Sequence, residues 1–169
     1  MSTITNLQQL YFDQLRDLYS AETQLVSALP EMVSNATSED LKKAFSDHLE
    51  ETHGHVARLQ EICAEHGIAP EGEECEAMKG LIKEAKKHIA STSPGDVRDA
   101  VLIASANRVE HYEIAAYGVA KAFAKVLDYS SAVDLLDKTL EEEGAADKRI
   151  TKIATGGLFT KGVNEEADR

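Results

Sequence analysis

The sequence predicts an all-α protein: a four-helix bundle with a short extra helix in the one long connection, between helices two and three. Three observations carry this. Apolar residues return every three or four positions through four long segments, the period of a helix with one buried face. The composition is 43% hydrophobic with no Trp and only three Pro, which suits an α-rich domain better than a sheet or a disordered chain. At 169 residues the chain is long enough to bury a real core, and residues 1–169 read as one domain.

The first helix spans about 5–29, where Leu7, Tyr11, Leu15, Leu18, Leu25 and Leu29 form one stripe and Pro30 marks the end. The second spans about 38–66. Thr37, Ser38, Glu39 and Asp40 supply cap-type residues before Leu41, Phe45, Leu49, Val56 and Leu59, and Gly67 and Pro70 stop it. An amphipathic crossover helix at about 75–90 follows, then the Ser91–Asp96 break. The third helix, about 97–127, lines up Leu102, Ile103, Ala106, Tyr117, Ala120 and Ala124; the fourth, about 130–154, lines up Leu136, Leu140, Ile150 and Ala154. Four long helices with one long middle connection give a ferritin-like topology. Residues 156–169 read as a frayed tail.

Thirty acidic against eighteen basic residues give a formal net charge of −12, which repels nucleic acid and anionic membranes and favours cations. No apolar stretch approaches the ~18 residues of a membrane span, and Met1–Asn6 lacks a signal peptide's basic start, so a cytoplasmic location is expected. Cys63 and Cys75 lack CxxC spacing and are read as reduced, ordinary residues, Cys63 as a small core hydrophobe.

The informative residues are acids on stripes that should be apolar. Glu22 lies between Leu18 and Leu25; Glu110 and Glu113 share the face of Ile103, Ala106 and Tyr117; Glu143 and Asp147 sit between Leu140 and Ile150. Asp and Glu are rarely buried unpaired, and Lys121, Lys138 and Lys148 fall off the stripes. Five carboxylates cannot all be ionised in a dry core without cations, so either the stripe is wet or the acids surround a metal pair. Coincidence across three helices favours metal. Oxygen-rich sites with one or two imidazoles suit iron or manganese.

The fourth wall is the second helix, with His48-Leu49-Glu50-Glu51-Thr52-His53-Gly54-His55. Glu50-x-x-His53 has bundle-metal spacing, but the stripe Leu41, Phe45, Leu49, Thr52, Val56, Leu59 and Cys63 points Glu50 roughly 150° away from the core and His53 roughly 90° away. His48 and His55 lie closer, at roughly 50° and 70°, with Glu51 on the same flank. This sets Glu51 with His48 or His55 as metal candidates and Glu50 and His53 as a solvent-facing pair. His111 points off its stripe and reads as a surface or dimer-contact residue.

Several segments together resemble the YciF/YciE family of bacterial ferritin-like proteins: Tyr19-Ser20-Ala21-Glu22, His48-Leu49-Glu50-Glu51-Thr52-His53-Gly54, Ala77-Met78-Lys79-Gly80-Leu81-Ile82, Val97-Arg98-Asp99-Ala100, Val109-Glu110-His111-Tyr112-Glu113-Ile114-Ala115 and Thr139-Leu140-Glu141-Glu142-Glu143. The resemblance runs in order along nearly the whole chain. It implies a rubrerythrin-like bundle with a dinuclear metal centre, a homodimer and a link to stress responses. It favours Glu22, Glu51, Glu110, Glu113 and Glu143 as ligands, with Asp147 where related bundles often place a histidine. A carboxylate there makes the site more anionic and favours harder cations.

The expected function is therefore binding of two metal ions, iron or manganese, with peroxide or dioxygen as the reacting partner. No rubredoxin-like set of four cysteines is present, so any electron donor is external. The competing reading is a structural or interaction four-helix dimer whose acids form a hydrated network and whose metal is incidental.

Overall fold

The computed structural model describes residues 3–72, 74–157 and 160–168. Helix α1 spans Leu7–Asn35, α2 Glu39–Glu65, α3 Glu76–Ala90, α4 Asp96–Val126 and α5 Ser130–Thr155; a two-stranded hairpin, β1 Gly156–Gly157 and β2 Thr160–Lys161, and helix α6 Val163–Ala167 follow. Short turns join α1 to α2 and α4 to α5, which makes each pair antiparallel neighbours. Helix α1 also packs on α4, and α2 on α5, which closes the bundle, while α3 lies across α1 and α4. Among the described residues, no helix is long and apolar enough to cross a membrane.

Local chemistry sets the helix ends. Asn6 caps α1 by accepting a hydrogen bond from the Gln9 amide at 2.9 Å, and Ser38 caps α2 with Glu39 and Asp40 in its first turn. The buried Asp99 of α4 accepts from the amides of Thr37 and Ser38, each at 2.7 Å, and so ties the α1–α2 turn to the start of α4.

Two sequence expectations are corrected. Helix α1 does not end at Leu29 but runs through Pro30 to Asn35. Pro30 is exposed and gives up its own amide donor, while Met32 and Ala36 beyond it pack into the core. Nor is the region after 156 a frayed tail: among its described residues the β1–β2 hairpin forms and α6 packs against α4 and α5. Gly156 at φ 71 and the buried Gly162 permit this, since a Cβ at Gly156 would stand 2.4 Å from the Thr160 carbonyl oxygen and one at Gly162 2.3 Å from that of Ala154.

The core has two apolar layers. One holds Leu25, Leu29, Leu41, Phe45, Leu102, Ile103 and Ile150; the other holds Tyr11, Leu15, Leu18, Leu59, Ile62, Tyr117 and Leu136. Between them in sequence, on all four long helices, come the buried polar residues Glu22, His48, Thr52, His55, Glu110, Glu113, Thr139 and Glu143.

Candidate metal centre

Each residue of this belt continues its helix's inward line. Glu22 falls one turn after Leu18 on α1, Glu110 and Glu113 fill the turns between Ala106 and Tyr117 on α4, and Glu143 lies between Leu136 and Ile150 on α5. On α2 the buried line runs Leu41, Phe45, His48, Thr52, His55, Leu59, Ile62. That line corrects the direction taken from sequence: Leu49 and Val56 are only half-buried, and both His48 and His55 point inward. Glu50 and His53 are exposed.

The ligand-type atoms converge in two overlapping groups, His48–Glu110–Glu113–Glu143 and Glu22–His55–Glu143, with the atoms of each within 4.8 Å of one another. Glu143 belongs to both. His48 Nε2 lies 3.4 Å from Glu110 Oε1 and 3.8 Å from Glu143 Oε2; His55 Nδ1 lies 3.3 Å from Glu22 Oε1 and 2.9 Å from Glu143 Oε1. These approaches are close but lack hydrogen-bond geometry: His48 Nε2, His55 Nδ1, Glu22 Oε2, Glu110 Oε2 and both oxygens of Glu113 and Glu143 are buried without a hydrogen-bond partner. Leaving so many buried polar atoms unpaired costs roughly 1–3 kcal/mol each. The donor set, two imidazoles and four carboxylates, is of the kind that could hold a metal ion.

Each imidazole is held from behind. His48 Nδ1 lies 3.4 Å from Glu51 Oε2, and Glu51 Oε1 accepts from Arg149 Nη2 at 3.2 Å. His55 Nε2 lies 3.1 Å from Glu142 Oε2, which also accepts from Arg58, whose Nε donates to Thr139 Oγ1 at 2.9 Å. A carboxylate on the far nitrogen of a ligating histidine fixes its tautomer and ring orientation. The Tyr117 hydroxyl donates to Glu22 Oε1 at 2.5 Å, orienting that carboxylate in the same way.

The electrostatics follow from burial. Desolvation pushes the carboxyls of Glu22, Glu110 and Glu113 above their ordinary range, and neighbouring Glu143 adds to it. Glu143 goes the other way: burial raises it, but His55 and His48 outweigh burial and hold it low. For His55, burial opposes the charged form, yet the contacts with Glu143 and Glu22 push it up to about 10. The metal-free site is thus an imidazolium–carboxylate pair among carboxyls driven toward neutrality. A divalent cation can replace those protons.

Of the sequence-predicted residues, the structure brings together Glu22, His48, His55, Glu110, Glu113 and Glu143. Glu51 and Asp147 lie outside both groups. Glu51 stands behind His48, and its pKa is lowered by that hydrogen bond and by Arg149 despite partial burial. Asp147 faces the α4–α5 seam, accepting from Asn107 Nδ2 at 2.9 Å and lying 3.2 Å from His111 Nε2. The stripe through Leu140 and Ile150 predicts Asp147 inward, but Ala146 takes the buried position. Sequence reasoning missed Glu142 and Arg58 as partners of His55, because that contact joins two helices and no single helical wheel shows it.

Three comparisons place the chain. Residues 6–167 match the family described as "Domain of unknown function (DUF892)". Protein YciF of Escherichia coli K12 is 42% identical over 160 residues, covering 94% of this chain and 96% of that one. The crystal structure of YciF, described as a stress protein, superposes with a TM-score of 0.85 at 43% identity, covering 88% of this chain and 94% of that one. YcfI from Rhodopseudomonas palustris, described as a candidate structural protein, superposes with a TM-score of 0.87 at 40% identity, covering 89% of this chain and 96% of that one. Matched along nearly its whole length in sequence and in helical-bundle fold, the chain belongs to the DUF892 family.

Proposed function

We propose that this protein binds a dinuclear metal centre inside the bundle, iron or manganese, and serves a stress response through peroxide or dioxygen chemistry. The single observation that carries the reading is the set of unpartnered buried nitrogen and carboxylate oxygen atoms converging from all four long helices. His48, Glu110, Glu113 and Glu143 would hold one ion, Glu22, His55 and Glu143 the other, with Glu143 shared. When bound, such an ion pair would supply redox chemistry toward peroxide or dioxygen, with an external donor returning the electrons. The protein's share is to keep both imidazoles oriented through Glu51 and Glu142, and to shield the site between two apolar layers. The stress role is carried over from YciF, and the cytoplasmic location and homodimer belong to the same proposal.

The second reading, a structural four-helix protein with incidental metal, takes support from the description of YcfI and from the raised carboxyl pKa values, which let protons neutralise the site. Metal analysis of protein purified without added ions separates the two. The metal reading expects about two equivalents of iron or manganese per chain, lost in Glu143→Ala. Metal-free protein that cannot be loaded afterwards supports the structural reading.

A further inference from the structure

The buried cluster meets the surface through three half-buried carboxylates, and their surroundings differ in charge. Glu51, behind His48, is paired with Arg149, which also lies 3.6 Å from Asp47. Glu142, behind His55, is paired with Arg58. Asp147 differs. Its partners are Asn107 and His111, and among the described residues no lysine or arginine lies within ion-pairing distance of it. Of the neighbouring cations, Arg108 pairs with Glu84, and the exposed Lys148 makes no ion pair with Asp147.

The seam between α4 and α5 also grades inward. His111 is 71% exposed, Asp147 21% and Glu110 2%; His111 Nε2 lies 3.2 Å from Asp147 Oδ1, and the buried Glu110 directly precedes His111 on α4. Beyond Glu110 stand the unpartnered oxygens of Glu113 and Glu143. A divalent cation passing Glu51 or Glu142 must approach a guanidinium; one passing Asp147 meets a carboxylate flanked by the Asn107 amide and the His111 imidazole, with no guanidinium paired to it.

We propose that divalent cations reach the buried cluster through the Asp147–His111 port on the α4–α5 seam, with Asp147 a transit ligand rather than a resident one. The inference rests on the metal-binding reading above. It follows that Asp147 governs how fast the site fills and not how much it holds.

The test is the rate at which metal-free full-length protein takes up Co(II), followed by stopped-flow through the visible absorbance of the ligated ion, with final stoichiometry measured separately. Asp147→Asn should load about tenfold more slowly than the native chain, in line with the gain that a charged funnel gives to cation capture. His111→Ala should also be slower. Asp134→Asn, the same charge change at an exposed α5 position, should load at the native rate. All should reach the native stoichiometry, and the native rate should fall as ionic strength rises. Native-rate loading by both Asp147→Asn and His111→Ala overturns the route, and a lower final stoichiometry in Asp147→Asn overturns it by making Asp147 a resident ligand. A native chain that takes up no Co(II) overturns the metal-binding reading itself, and the route with it.

Discussion

Glu142 Oε2 lies 3.1 Å from His55 Nε2, so a carboxylate near the surface of α5 holds a fully buried imidazole of α2 whose other nitrogen faces Glu22 and Glu143. Removing such a partner leaves the ligand present but loosely oriented, at a cost of about 10–100-fold in metal affinity. Glu142→Ala should therefore weaken one of two binding events in calorimetric titration and leave the other near native. Equal weakening of both, or of neither, would show that Glu142 does not act through His55.

Burying carboxyls without cations destabilises the bundle. Glu113 is fully buried with both oxygens unpartnered, so Glu113→Gln should stabilise the metal-free protein by about 1–3 kcal/mol in urea unfolding. The same variant should bind metal more weakly than the native chain. A loss of stability in the metal-free state would mean that Glu113 is satisfied by contacts other than a cation.

The metal-free protein should lose stability as pH rises. A proton held more tightly by the folded than by the unfolded chain stabilises the fold below the unfolded pKa and ceases to as the folded group releases it. His55, ordinarily 6.5, is pushed up to about 10, so its contribution is whole below 6.5 and declines between 6.5 and about 10. The raised carboxyls of Glu22, Glu110 and Glu113 act in the same direction, beginning above their ordinary 4.5. Glu143, held low, acts oppositely and only at the acid end. Thermal melts of chelator-treated protein should show the melting temperature falling from pH 6.5 to 10, with saturating metal flattening the decline. A metal-free melting temperature that is constant or rising over that range would contradict the assignment of charges.

Away from the site, Asp99→Ala removes the acceptor for two backbone amides of the α1–α2 turn, those of Thr37 and Ser38. Hydrogen bonds to a charged group contribute about 1.5–3 kcal/mol each, so unfolding free energy should fall by about 3–6 kcal/mol while metal stoichiometry stays native. Loss of metal binding in the folded variant would mean that the turn and the site are coupled.

What the sequence reveals is set by how each residue announces itself. Glu22, Glu110, Glu113 and Glu143 stand out because an acid on an apolar stripe has few stable explanations, and the structure brings all four together. The histidines of α2 are harder to read. Leu49 and Val56 drag the apparent stripe direction toward themselves, whereas the buried line runs through His48 and His55, polar residues that a hydrophobicity count treats as surface. That apparent direction also places Glu51 level with His48 on one flank, whereas the structure sets Glu51 behind the His48 ring, 3.4 Å from its Nδ1. Asp147 was drawn inward by the same kind of averaging, through Leu140, which is half-buried. Pro30 and the segment after 156 show a different limit. Whether a proline ends a helix depends on which residues pack beyond it, and whether a glycine-rich end folds depends on contacts such as Gly162 against Ala154 that arise only in three dimensions.

The central claim is that two cations share Glu143. Anaerobic titration of metal-free protein with Fe(II) tests it most directly, comparing the native chain with Glu22→Ala and Glu143→Ala after confirming helical content. The account predicts about two tightly bound equivalents for the native chain, about one for Glu22→Ala, and none for Glu143→Ala, since Glu143 belongs to both ligand groups. Native protein that binds no Fe(II), or Glu143→Ala that still binds two equivalents, would contradict it.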